Sequence, residues 1–120
     1  MSRDRLFVLK PGYMDGQAGP FYCPGSLKLE GLLSYFPQLR HALDVQAIEF
    51  PRPRKVLVDL IGEENQGAPV LVLGGPAAAG SERAMIKQHG DVRFVNGSDN
   101  ILAYLSAAHT LPANHYQNKK

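Results

Sequence analysis

The sequence predicts a single α/β domain, with a mixed sheet that carries helices on both faces. Strand-like and helix-like patterns alternate through the first half of the chain, which favours a right-handed β-α-β unit with parallel strands. In the second half two strand-like runs follow one another without a helix between them, which favours an antiparallel pair. The predicted order is therefore β-α-β-α-β-β-α, in a four-stranded sheet.

Four runs of residues predict the strands. Residues 6–9 and 70–73 are short, fully apolar runs of strand-forming residues, as expected of buried strands. Residues 43–50 and 92–95 alternate apolar and polar side chains with a period of two. The Gly- and Pro-rich residues 10–20 predict a loop, and residues 74–90, rich in Gly and Ala, predict a long mobile connection.

Three segments have the periodicity of amphipathic helices. The first follows Cys23 and ends near Phe36, because Pro37 limits its regular extent. The second covers residues 54–64, and the third begins at Ser98. The side chains assigned to the buried faces are Leu29, Leu32, Leu33 and Phe36 in the first helix, Val56, Leu57, Leu60 and Ile61 in the second, and Ile101, Leu102, Leu105 and Ala108 in the third.

We expect one domain over residues 1–111 and a polar, frayed tail over residues 112–120.

Composition excludes several classes of function. The 13 basic and 11 acidic residues leave a net charge of +2, with Lys119-Lys120 as the most basic run, so nucleic acid is not an expected partner. No apolar run approaches the ~18 residues of a membrane span, and the first residues lack the apolar core of a signal peptide. Because the chain has one cysteine and can form no intramolecular disulfide, we expect a cytoplasmic protein. We also expect it to be a monomer or a weak dimer.

Three short motifs resemble active-site segments of the thioredoxin fold, in its glutaredoxin-like branch. Residues 23–26 (CPGS) resemble the C-P-x-C/S motif in its single-cysteine form. Residues 68–70 (APV) resemble the segment whose proline is cis in that fold, and residues 97–101 (GSDNI) resemble the segment with which glutaredoxins hold the γ-glutamyl end of glutathione. The last motif, with Tyr104-Leu105, is also similar to glutathione transferase N-terminal domains. The chain as a whole resembles an uncharacterised bacterial thioredoxin-like family with no assigned function.

Cys23, just ahead of the first predicted helix, has two alternative roles. The first N–H groups of a helix lack intrahelical partners and carry partial positive charge, so they can stabilise a thiolate. Pro24 suits the first helical turn because it has no N–H. The alternative is that Cys23 packs as a small apolar residue.

Ser26 lies one helical turn after Cys23, where a second cysteine would resolve a mixed disulfide. Its hydroxyl either donates a hydrogen bond to the Cys23 thiolate or caps the helix. In both cases an intramolecular dithiol cycle is impossible, so turnover requires an outside thiol.

The resemblance implies four ligand-binding residues, namely Ala68, Pro69, Ser98 and Asp99. A cis bond before Pro69 would turn the backbone of Ala68 toward the cysteine and offer it to a peptide-like ligand; the alternative is an ordinary trans proline. The helix N-terminus at Ser98 would hold a carboxylate and Asp99 an amine of glutathione. The alternative is that Ser98 is a plain N-cap and Asp99 a favourable first-turn acid.

Other charged and metal-binding residue types suggest no site. The four histidines have no metal-ligand spacing, and we predict no metal site. Arg52 and Arg54, in a Pro-Arg-Pro-Arg stretch, could contact an anion or a partner, but we expect them to be solvated.

Two hypotheses of function remain open. In the first, the protein is a monothiol glutaredoxin-like redox protein: Cys23 is the nucleophile of thiol–disulfide exchange, and glutathione or a thiol-bearing protein is the partner. An iron–sulfur cluster ligated by Cys23 and glutathione across a dimer is a variant that we do not expect. In the second, the protein is a non-enzymatic binding module with a degraded redox motif, which holds a peptide or protein beside Pro69. Ser26 and the long segment 74–90 favour the second hypothesis.

Overall fold

The computed structural model describes residues 2–81 and 84–115, which form two sheets and four helices. The strands are β1 (Asp4–Leu9), β2 (Tyr13–Asp15), β3 (Ala18–Phe21), β4 (Leu43–Ile48), β5 (Val70–Val72), β6 (Ile86–His89) and β7 (Val92–Asn96). The helices are α1 (Pro24–Tyr35), α2 (Leu39–Ala42), α3 (Lys55–Ile61) and α4 (Ser98–His109). Residues 116–120, part of the predicted frayed tail, lie outside the described residues, and residues 112–115 belong to no helix or strand.

The main sheet is mixed, as predicted. Its strand order is β4-β1-β5-β7-β6. β1 and β4 pair in parallel over six residues, from Asp4 opposite Leu43 to Leu9 opposite Ile48. β5 is antiparallel to both β1 and β7, and β6 is antiparallel to β7. The predicted parallel unit in the first half of the chain and the antiparallel pair in the second half are confirmed.

The prediction of four strands is wrong, because the main sheet has five and a second sheet has two. The fifth strand, β6, lies within the segment predicted as a connection, and three of its four residues are exposed polar side chains. The predicted loop 10–20 contains the hairpin of β2 and β3, which turns at Gly16 with a φ of 65°. Neither element has an apolar face that periodicity could detect, since most of their residues are exposed.

The described part of segment 74–90 is held against the domain at several points. The N–H of Gly74 donates to Asp4 Oδ1 at 2.8 Å, and the N–H of Ala78 donates to Tyr104 Oη at 3.1 Å. Ser81 is buried and its hydroxyl donates to the carbonyl of Ala78 at 2.6 Å. These contacts anchor the segment that the sequence predicted to be mobile.

Helices cover both faces of the sheet, as predicted. Alternate residues of β1 point to opposite faces, so Leu6 and Val8 pack with α1 and α4, whereas Phe7 and Leu9 pack with α3. The fully buried side chains on the α1 and α4 side include Leu29, Leu33, Leu71, Val95, Ile101 and Leu105, and those on the α3 side include Leu57, Ile61, Val70 and Phe94. Burial on both faces explains why residues 6–9 of β1 and all of β5 are continuous apolar runs.

The helix ends differ from the predicted ones by a few residues. α1 ends at Tyr35 with Phe36 as its C-cap, close to the predicted end. α3 is shorter than residues 54–64 because Gly62 adopts φ 95° and ψ 156°, a backbone region that is essentially restricted to glycine. α2 was not predicted, since a four-residue helix is too short for a periodic pattern. None of the helices in residues 2–81 and 84–115 is long and apolar enough to span a bilayer.

We predict that Tyr104→Phe lowers the free energy of unfolding by about 1 kcal/mol at pH 7, because the Ala78 N–H loses its acceptor. Burial raises the pKa of Tyr104 above its ordinary value of 10.0. The folded protein therefore retains the phenol proton at pH values where the unfolded chain has released it. The contribution of the protonated Tyr104 side chain to the free energy of unfolding is complete below pH 10 and is lost as the pH rises further. Urea unfolding at pH 7 and at about pH 10.5 should show that the advantage of the wild type over Tyr104→Phe shrinks with pH. An advantage that grows with pH would contradict this assignment.

Candidate functional site

The segments that carry the three motifs meet at one end of the main sheet. β1 and β4 are parallel, so the loops that follow them leave the sheet at the same end. β5 is antiparallel to β1 and to β7, so the segment before β5 and the segment after β7 lie at that end too. The topology thus brings Cys23, Pro69 and Ser98 together, although they are far apart in sequence.

Cys23 is the N-cap of α1. Its backbone is extended, with φ −88° and ψ 116°, and its Sγ accepts the backbone N–H of Ser26 at 3.4 Å. Its carbonyl accepts the N–H of Leu27 at 2.9 Å, which begins the helical hydrogen bonds. Pro24 occupies the first helical position, as predicted. The partly buried thiol therefore points at the N–H groups of the first turn.

Ser26 joins α1 to the end of β1. Its side chain is 4% exposed, and its hydroxyl oxygen accepts the backbone N–H of Leu9 at 2.9 Å. The alternative prediction that Ser26 caps the helix is wrong, because Cys23 occupies the N-cap position. Ser26 therefore provides a hydrogen-bond acceptor for the buried N–H group of Leu9, which would otherwise lack a partner.

Gly25 brings the cysteine motif into contact with the other two motifs. The Ala68–Pro69 bond is cis, as the resemblance implies, and Pro69 is buried. A Cβ atom on Gly25 would lie 3.0 Å from Pro69 Cδ and 3.5 Å from Ser98 Cβ, so only glycine allows this approach without displacement. The carbonyl of Pro69 in turn accepts the N–H of Gly97 at 3.2 Å. The three motifs therefore form one packed cluster.

Ser98 and Asp99 begin α4 beside this cluster. The N-cap of α4 is Gly97, with φ 93° and ψ 144°, so the alternative prediction that Ser98 is the N-cap is wrong. The Asp99 carboxylate accepts a hydrogen bond from Lys28 Nζ of α1 at 3.0 Å. Both side chains of this ion pair are about half exposed or more, and such pairs contribute about 0–1 kcal/mol.

Arg54 is buried, which contradicts the prediction that it is solvated. Arg54 is only 8% exposed. Its Nε and Nη2 atoms both donate hydrogen bonds to the carbonyl of Phe50, at 2.9 and 2.6 Å. Nη1 donates to the carbonyl of Gln66 at 2.8 Å, and the Gln66 side chain accepts the backbone N–H of Arg54 at 2.7 Å. The arginine turns inward because two loops present carbonyls to it, whereas Arg52 is exposed as expected.

Burial and neighbouring groups shift the pKa of Arg54. Burial lowers the pKa of Arg54 and repulsion from Arg52 lowers it further, whereas Cys23 and Tyr13 act in the opposite direction because their ionised forms are anions. Among the described residues no carboxylate pairs with this guanidinium, whose bonded partners are neutral carbonyls.

An aromatic stack connects the β2–β3 hairpin to Arg54. Tyr13 and Phe50 are stacked, with ring centroids 4.2 Å apart and an interplanar angle of 6°. The guanidinium carbon of Arg54 lies 5.4 Å from the centroid of the Phe50 ring. No local pattern indicates this stack or the burial of Arg54, although the predicted parallel pairing of the first two strands places residues 50–54 at the same end of the sheet as Cys23.

A cavity of about 310 Å³ opens between α1 and the β1–β4 pair, and Cys23 lines it. Its volume is at the lower end of the range of roughly 300–1,000 Å³ found for small-molecule sites. The other lining residues are Val8, Leu9, Pro11, Tyr22, Ser26, Leu27, Glu30 and Ala47. Within the described residues no group of three or more His, Cys, Asp or Glu side chains is placed to hold a metal ion.

We predict that Ser26→Ala lowers the free energy of unfolding by about 1–3 kcal/mol, because the buried N–H of Leu9 loses its acceptor. Ser34→Ala is the matched control: it lies in the same helix but is exposed, and we expect it to change stability by less than about 0.5 kcal/mol. Urea unfolding followed by circular dichroism measures both. Equal effects of the two substitutions would contradict a structural role for Ser26.

Comparison with known proteins identifies a family without indicating an activity. No curated protein and no solved structure matches the chain significantly. One family, described as "Protein of unknown function (DUF3088)", matches residues 3–113, which is most of the 120-residue chain. The chain belongs to this family.

Proposed function

We propose that this chain is a thioredoxin-like monothiol protein that uses Cys23 for thiol–disulfide exchange with an outside thiol. The strand arrangement supports a thioredoxin-like fold: a parallel pair, β1 and β4, is extended by antiparallel β5 and β7, with helices on both faces. In this proposal β6 and the β2–β3 hairpin are additions to a four-stranded sheet. The single observation that carries the function is that Cys23 Sγ caps α1 and accepts an N–H group of its first turn.

The proposed reaction has two steps. The Cys23 thiolate attacks one sulfur of a disulfide R–S–S–R′, forms the mixed disulfide Cys23–S–S–R and releases R′–S⁻. A second thiolate then attacks the sulfur that bears R and releases Cys23. Ser26 cannot perform this second step, so the resolving thiol must come from outside. Glutathione is the proposed resolving thiol, which requires a compartment that keeps thiols reduced, such as the cytoplasm.

The contact between Gly25, Pro69 and Ser98 supports a glutathione site on this side of Cys23. The backbone of Ala68, just before the cis bond, would pair with the peptide backbone of glutathione. The first N–H groups of α4, at Ser98, would hold its γ-glutamyl carboxylate. Asp99 would exchange its exposed partner Lys28 for the α-amino group.

We predict that native Cys23 forms a mixed disulfide with oxidised glutathione at pH 7 at least about tenfold faster than the same cysteine in an unstructured chain. The reference is a synthetic peptide of residues 19–30, in the same buffer, and mass spectrometry measures the gain of one glutathione over time. Cys23→Ser, the control for the site of attachment, should gain none.

A native thiol that reacts more slowly than the peptide would contradict the exchange function. It would mean that Cys23 packs as a small apolar residue, and it would favour the alternative of a binding module that holds a peptide or protein beside Pro69.

We predict that Arg54→Met slows this reaction by about three- to tenfold at pH 7, because the thiolate loses a nearby cation. At about pH 10 an unperturbed thiol is itself mostly ionised, so the rates of variant and wild type should converge. Arg52→Met is the matched control, since it removes an exposed arginine two residues away. Urea unfolding of both variants separates this effect from the loss of the Phe50 and Gln66 contacts. A rate deficit that stays constant from pH 7 to pH 10 would contradict an electrostatic role.

A further inference from the structure

The cavity of about 310 Å³ beside Cys23, called the Cys23 cavity below, has an apolar wall. Six of its lining residues are apolar: Val8, Leu9, Pro11, Tyr22, Leu27 and Ala47. The two polar side chains besides the thiol already have partners. The Ser26 hydroxyl accepts the N–H of Leu9, and the Glu30 carboxylate accepts a hydrogen bond from Arg40 at 2.9 Å.

Exposed apolar side chains continue this wall at the surface. Tyr22 and Leu27, which line the cavity, are each 58% exposed, and the neighbouring Phe21 is 44% exposed. Large apolar side chains that remain exposed together around a concave site mark a binding surface rather than ordinary protein surface.

The charges at the cavity select against an acidic ligand. Among the described residues that line it there is no lysine or arginine, and the one charged group is the carboxylate of Glu30. A ligand carboxylate here would lie beside the Glu30 carboxylate, whose ion-pair partner Arg40 does not itself line the cavity. A neutral apolar group would instead gain about 0.8 kcal/mol for each CH₂ removed from water.

We propose that the Cys23 cavity is a specificity pocket for a neutral apolar group R of the disulfide R–S–S–R′ that exchanges at Cys23. This inference rests on the proposed function and adds its substrate class. The Cys23 thiolate attacks the sulfur that bears R, the S–S bond breaks, and R′–S⁻ leaves with the electron pair of that bond. R then occupies the cavity in the mixed disulfide Cys23–S–S–R, while the opposite side of Cys23, at Pro69, stays accessible to the peptide thiol that resolves it.

The test uses alkyl 2-pyridyl disulfides, which all release pyridine-2-thiolate and so differ only in R. Rates with R as methyl, n-butyl and 2-carboxyethyl are measured on the wild-type protein by the absorbance of the released thiolate. Each rate is divided by the rate of the same reagent with the peptide of residues 19–30, which removes differences in intrinsic reactivity. We expect the normalised rate of n-butyl to exceed that of methyl by about ten- to fiftyfold, from three additional buried CH₂ groups, and that of 2-carboxyethyl to fall below methyl.

Ala47→Phe tests the location of the pocket. Ala47 is an exposed residue of β4 that lines the cavity, so a phenylalanine there would fill it without entering the core. We expect the preference for n-butyl over methyl to fall to about one to threefold in Ala47→Phe. Gln46→Phe, the control, adds the same side chain at the adjacent exposed position, which does not line the cavity, and should retain the preference.

The outcomes separate this inference from the proposed function. If native Cys23 reacts with the methyl reagent faster than the peptide but shows no preference for n-butyl, the apolar pocket is wrong and the exchange function stands. If the preference persists in Ala47→Phe, the apolar group binds elsewhere and the pocket is also wrong. If no reagent, methyl included, reacts faster with the native protein than with the peptide, the proposed function itself is overturned and the substrate class with it. The three reagents on the wild-type protein test the preference for an apolar group even if Ala47→Phe or Gln46→Phe does not fold.

Discussion

The parallel pairing of β1 with β4 is the constraint on which the candidate site depends. It places the loops after both strands at one end of the sheet, so Cys23, which follows β1, and Arg54, which follows β4, share one environment. Antiparallel β5 and β7 bring Pro69 and Gly97 to the same end. No local interaction could unite these residues, because each belongs to a different connection. The two-sided apolar core around β1 therefore supports the site as well as the fold.

The burial of Arg54 is the main electrostatic feature of that site. A guanidinium removed from water is costly unless its donors are satisfied and its charge is balanced. Carbonyls of Phe50 and Gln66 satisfy donors, but carbonyls are neutral and leave the charge to be balanced by an anion. Cys23 and Tyr13, whose ionised forms are anions, act on this guanidinium and oppose the lowering of its pKa by burial. The Cys23 sulfur also accepts an N–H group at the N-terminus of α1.

The position of Ser26 gives the single-cysteine motif a structural explanation. A hydroxyl oxygen is a good acceptor for the buried N–H of Leu9, whereas the sulfur of a cysteine is a weak one. Ser26 occupies the position of the second cysteine in a two-cysteine motif, and it instead joins α1 to β1 by this hydrogen bond. An apolar cavity opens beside Cys23, and Gly25, two residues further along the chain, contacts Pro69.

The sequence by itself determined the α/β class, the parallel and antiparallel pairings, the core faces of the helices and the place of Cys23 before α1, because periodicity and capping residues are local signals. It did not reveal β6 or the β2–β3 hairpin, most of whose residues are exposed. Only the tertiary structure decided that Arg54 is buried, that Cys23 rather than Ser26 caps α1, and that Gly25 contacts Pro69. The physical reason is that these features depend on groups from distant segments, and the free energy of burying a charge or a thiol is set by those neighbours rather than by the adjacent sequence.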